Sequence, residues 1–140
     1  MDVKQLNVMN ETKRLALIMQ AKMLMSQLKA ALPQDGGDGV ILTDAQFFEP
    51  QLTIQITATI SFADEIEADE KEDFVEVQKG MICMGLCNDA STIEFLDNEF
   101  KFRYVYYDTN GNVFSEIDIT KDVFCRTLQE INETMREGNE

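Results

Sequence analysis

The sequence predicts an α+β domain, a five- to six-stranded, mostly antiparallel sheet whose apolar face is covered by a long N-terminal helix and a C-terminal helix. Three observations lead there. The chain opens on a run with helical periodicity and closes on a second one, and between them residues 52–62 and 100–106 alternate apolar and polar side chains with period two. The dipeptide Asn110-Gly111 then supplies a hairpin turn. At 140 residues the chain is one core's worth. We expect a single domain over 1–140, with a helix at 11–32, the sheet within 39–119 and the last helix at 121–136.

Each element has its own warrant. Asn10 is placed to cap a helix whose first turn holds Glu11 and Thr12, and Pro33 with Gly36, Gly37 and Gly39 stops it. At 100° per residue, Leu17, Ile18, Ala21, Leu24, Met25, Leu28, Ala31 and Leu32 share one broad face. Leu15, Met19, Met23 and Ala30 fall on the other side. Two accounts fit that second flank: the helix lies between the sheet and another helix, or Met19 and Met23 form a docking or dimer surface, methionine being adaptable to irregular partners. Residues 39–44 read as a short strand. In 52–62, Leu52, Ile54, Ile56, Ala58, Ile60 and Phe62 alternate with Thr53, Gln55, Thr57, Thr59 and Ser61, so one face is core and the other wet. Residues 74–86 read as a further strand, with Gly80 marking a bulge. Residues 89–98 stay open between helix and strand, because Ser91 and Glu94 have capping-box spacing while Ile93 and Phe95 alternate. Phe100, Phe102, Tyr104 and Tyr106 define the next strand and 113–119 its return. Thr120 caps the last helix, whose core positions are Phe124, Leu128, Ile131 and Met135; Gly138 ends it.

The residue inventory excludes much chemistry. There is no histidine, which removes imidazole acid-base work, histidine-activated nucleophiles and histidine-ligated zinc from this chain. Cys83, Cys87 and Cys125 are odd in number, and Cys83 and Cys87 are spaced C-x3-C, so buried, reduced thiols are expected. No phosphate-binding glycine loop occurs. In 108–113, oxygens at Asp108, Asn110 and Asn112 mimic a calcium loop, but the sixth position is Val113 and the tight turn is the better reading. The aromatic strand with Lys101 and Arg103 is core rather than a base-stacking surface, since its aromatics occupy the in-facing side. We expect no enzyme activity, no cofactor and no specific metal site. No run of apolar residues is long enough to span a membrane, no signal pattern opens the chain, and a cytoplasmic location is expected.

Charge supplies the functional expectation. The net charge is −14, yet residues 1–32 carry five basic side chains against Asp2 and Glu11, a local +3 that leaves −17 on the other 108 residues. Such asymmetry can steer a partner or a second copy, while its sign repels nucleic acid directly. Seven carboxylates crowd residues 64–73, namely Asp64, Glu65, Glu67, Asp69, Glu70, Glu72 and Asp73, with Lys71 alone against them. Like charges three and four apart oppose a helix there, so a hydrated connection is expected. The sequence therefore points to a non-enzymatic acidic protein-binding domain, an adaptor, chaperone or inhibitor acting through its surface. Its contacts would be Met19, Met23 and the seven carboxylates, its partner a protein with a basic surface, and helix 11–32 a possible homodimer seam. The alternative is a phage-type anti-defence inhibitor that mimics nucleic acid and blocks a basic groove of a host protein. No family signature covers the chain. In gross layout a small acidic domain with a long first helix is similar to bacterial secretion chaperones, and no residue is carried over from that resemblance.

Overall fold

The computed structural model describes residues 3–37 and 39–138, with side chains described for 11–37 and 39–137. The first helix, α1, runs Val3–Ala30, so Asn10 lies inside it rather than at its cap. Neither glycine nor proline interrupts those residues. Its C-terminus tightens through amide bonds from Ala31 to the Leu28 carbonyl and from Leu32 to Lys29 before Pro33 ends it.

Five strands follow in one sheet of order β1-β2-β3-β4-β5. They are β1 Gln34–Asp35, β2 Val40–Phe48, β3 Thr53–Ile60, β4 Lys101–Tyr107 and β5 Val113–Ile119. Gly39 sits between β1 and β2 at φ +85°, where a Cβ would fall 2.6 Å from the Ser61 hydroxyl, so only glycine fits. Between β4 and β5 the predicted turn is present: Asp108 Oδ1 accepts from the amides of Asn110 and Asn112, and Gly111 takes φ +83°.

Three of the four strand pairings are antiparallel; β3 and β4 pair in parallel, Thr53 opposite Lys101 through Thr59 opposite Tyr107. That single parallel pair corrects the reading of residues 74–86. A chain that leaves β3 and returns beside it in the same direction needs a crossover, and here the crossover is helical. It comprises α2, Lys71–Leu86, and α3, Ala90–Asp97. Phe74, Gln78, Ile82 and Leu86 recur every four residues on the half-buried side of α2. Gly80 marks no bulge; it faces α4, Lys121–Gly138, where an added Cβ would lie 3.9 Å from Ile131. The open segment 89–98 is helical as well. Its cap is Asp89, whose side chain accepts from the Ser91 amide at 2.9 Å, two residues before the serine that the sequence pattern favours. Thr120 caps α4 as expected, its hydroxyl accepting from the Val123 amide.

The helices pack on the face carrying Ile54, Ile56, Ala58, Ile60, Phe102, Tyr106, Ile117 and Ile119. Leu17, Ile18, Ala21 and Met25 of α1, Cys83 of α2, Phe95 of α3 and Phe124 of α4 close the core over it. Phe95 anchors the join, its ring 5.1 Å from that of Phe100 and edge-on to Phe102. The opposite face is polar and only partly open: Arg103 bonds Asp118 at 2.9 Å and Glu116 at 3.1 Å, and Lys101 reaches Asp118 at 3.4 Å, but Thr53, expected to be wet, is buried there, as is Val105. Met135, expected in the core, is 59% exposed because it lines an open cleft between α2 and α4.

The basic first helix meets the acidic body directly. Lys13 pairs with Glu94, Arg14 with Glu99, Lys22 with Glu49 and Lys29 with Asp44, all between 3.3 and 3.7 Å. The local positive charge that the sequence offered to a partner is thus matched within the chain.

Candidate functional site

An apolar groove of about 420 Å³ lies on the helix-bearing face between α1 and the end of α2. Leu24, Leu28 and Ala31 form one wall, Leu86 and Thr92 the other, and Ile54, Ile56, Phe102 and Tyr104 the floor. It arises because the apolar arc of α1 is wider than its contact with β2. Leu17, Ile18, Ala21 and Met25 are buried, whereas Leu24 at the edge of the arc stays 41% exposed. A second hollow of about 210 Å³, bounded by Gln20, Met23, Gln27 and Ser91, continues the groove along α1 and shares Leu24, Thr92 and Phe102 with it.

Its electrostatics are bland by construction. Burial pushes the Tyr104 hydroxyl well above its ordinary pKa, with Tyr106 and Cys83 adding to the effect; Ile54, Ile56 and Phe102 beside it carry no ionisable group, so the floor is uncharged at neutral pH. Tyr106 behind it is raised to about 12, again by burial, and donates to Gln78 at 3.2 Å. Asp89 is the one carboxylate among the lining residues, and its side chain caps α3. Such a surface can bind an apolar segment by burial and orient it through Gln27, Thr92 and the tyrosine hydroxyl.

The sequence-predicted contacts are dispersed. Met19 and Met23 are 70% and 63% exposed on α1, and Met23 alone reaches the smaller hollow. Asp64 and Glu65 lie in a single 3-10 turn, Ala63–Glu65, and Glu72 and Asp73 occupy the first turn of α2. Negative charge is favourable at a helix N-terminus, and this offsets the repulsion that argued against a helix. Glu67, Asp69 and Glu70 approach within 4.8 Å of one another, all exposed. None of the seven lines the groove. Of the thiols, Cys83 is buried, its pKa raised by burial against the opposing effects of Thr127 and Lys79, but Cys87 and Cys125 are exposed, contrary to expectation. Cys125 is exposed because it lies beside, not on, the Phe124/Thr127 stripe of α4.

Sequence reasoning placed Leu24, Leu28 and Ala31 in the core and did not see the groove. The signal available was the width of the α1 arc, which needs cover on both flanks.

In fold, the chain is similar to type II secretion system pilotins. The pilotin AspS of Vibrio cholerae superposes with a TM-score of 0.60 at 18% identity, over 81% of this chain and 96% of that one. The pilotin EpsS of Vibrio vulnificus gives 0.60 at 17% identity with the same coverage. A candidate secreted protein of Pseudomonas aeruginosa gives 0.62 at 9% identity, over 80% and 96%. No protein-family model matches the chain. No curated protein matches it in sequence. These neighbours overturn the acidic-inhibitor reading and its nucleic-acid-mimic alternative: the fold is shared with pilotins, and the carboxylates that motivated the reading are scattered over turns and a helix start. No helix among the described residues is long and apolar enough to cross a membrane.

Proposed function

We propose that this chain is a pilotin-like, non-catalytic binding protein that holds an apolar segment of a secretion-system protein in the groove between α1 and α2. The observation that carries the reading is the groove itself, whose rim leaves Leu24 exposed and Leu28 and Leu86 only half-buried in a fold shared with pilotins. Binding rather than chemistry is supported by the lack of histidine, by an enclosed Cys83 whose thiol is held protonated, and by an uncharged groove floor. The net charge of −14 adds long-range attraction for a partner with a basic surface.

The test uses Leu24→Lys and Ala31→Glu, both on the exposed rim. With the secretion-system protein that co-purifies from the native host, reconstituted as a purified pair, each variant is expected to weaken binding at least about tenfold with an unchanged melting temperature. Wild-type affinity in both would remove the groove from the account. On this reading the protein works beside the secretion machine it serves. Host-cell fractionation decides between the envelope and the cytosol that the sequence favoured.

A further inference from the structure

The groove and the smaller hollow that continues it have Leu24, Gln27, Asp89, Thr92 and Phe102 in common, and among the described residues Asp89 is the one charged group lining either. Nothing nearby answers that charge. Within α3, Glu94 meets Lys13 and Asp97 meets Lys121, whereas among the described residues no lysine or arginine reaches ion-pair distance of Asp89. The lysines that flank the opposite wall are turned away from it: Lys22 pairs with Glu49 and Lys29 with Asp44, on the β2 side of α1. The end of α2 adds to the same sign. That helix stops at Leu86, itself a groove wall, with no basic residue in its last turn, so the negative end of its dipole falls beside Asp89.

Resting on the groove reading above, we infer that Asp89 selects the occupant: the apolar segment bound there carries a lysine or arginine between its apolar residues, and that cation pairs with Asp89. The lining sets the position. Along α1 the two hollows run from Gln20 to Ala31, roughly 16 Å of helix, and Asp89 sits where they join, so the cation falls inside the segment rather than at its end. Leu24 and Phe102, common to both hollows, cover its aliphatic stem, while the charge stays at the rim, where Asp89 is exposed. A competing segment with a carboxylate in that place meets like charge, and one that is apolar throughout covers Asp89 without pairing it. Both are disfavoured. The net charge of −14 attracts cationic surfaces in general, whereas one unpaired carboxylate on an otherwise uncharged lining fixes which residue of the segment goes where.

Titration calorimetry with the purified secretion-system protein used for the rim variants, in about 0.02 M and about 0.3 M NaCl, reads the pairing. Asp89→Asn retains a capping side chain on α3, asparagine being as good a cap as aspartate, so its melting temperature is expected to match wild type. Its affinity is expected to fall about tenfold in low salt, with a shallower decline as salt rises. Asp69→Asn removes the same formal charge outside the groove and is expected to bind as wild type does. Replacing the partner's lysines and arginines singly by alanine is expected to reveal one whose loss costs nothing further in Asp89→Asn. Wild-type affinity in Asp89→Asn, an equal loss in Asp69→Asn, or no partner cation coupled to Asp89 would each overturn the proposal. Leu24→Lys separates this from the groove reading: if it loses binding while Asp89→Asn keeps it, the groove stands and the pairing falls, and if both keep it, the groove falls as well.

Discussion

Asp118 shows how one residue reports its surroundings. Partial burial works against its ionisation, yet the hydrogen bond and charge of Arg103, with Lys101 beside it, prevail and hold its pKa below the ordinary value. Arg103 is raised in turn, first by the same bond. A carboxylate whose folded-state pKa is depressed stabilises the fold above its unfolded pKa, and that stabilisation is lost as pH falls through the folded value. Asp118→Asn is therefore expected to cost about 0.5–1 kcal/mol at pH 7, the upper range for a half-exposed pair. Its melting temperature should lie about 2–3 °C below wild type there, and the two curves should converge as pH drops below about 3.9. Thermal melts from pH 7 to pH 3 check this; a gap that persists at the acid end would assign the effect to packing. At the same scale the sequence was well read around Lys101 and Arg103: both occupy the outer sheet face, and Phe100, Phe102 and Tyr106 are core.

At the scale of elements, α1 is held by burial of Leu17, Ile18, Ala21 and Met25 and oriented by its four ion pairs. Each pair is solvent-exposed and contributes no more than about 1 kcal/mol, so burial decides that the helix docks and charge decides how. Lys13→Glu/Lys22→Glu reverses two pairs to repulsion and is expected to lower stability by about 1–2 kcal/mol in low salt, with the loss halved or better in molar NaCl. Urea melts at both salt levels measure it, and a salt-independent loss would point to altered helix packing. Element type was legible wherever a period ran long: α1, β3, β4, β5 and α4 all stand near their predicted places. It failed in α2, where Val75 and Val77 mimic strand alternation although the buried positions recur every four. It stayed open in α3 because eight residues are too short for either period to dominate. Helix starts were the weakest point. Asn10 had the chemistry of a cap but good helix formers precede it, and Asp89, not the Ser91 spacing, caps α3.

At the scale of the molecule, 26 acidic against 12 basic residues make self-repulsion the dominant long-range field. Moderate salt is accordingly expected to raise the melting temperature of the wild type by a few degrees between about 0.01 and 0.15 M NaCl, where the Debye length falls from about 30 to 8 Å. Calorimetry reads this directly, and a fall over that range would mean that the ion pairs outweigh the net charge. Taken alone, the sequence determined the class of fold, the apolar face of the sheet, the Asn110-Gly111 turn and the absence of imidazole chemistry, because these follow from local periodicity, turn conformation and composition. Only the tertiary structure decided that β3 and β4 run parallel, that 74–86 is therefore a helix, and that α1 leaves a groove beside the sheet while its cations pair inward. Each of those depends on which distant elements become neighbours, a choice set by burying the whole apolar surface at once rather than by any stretch of residues on its own.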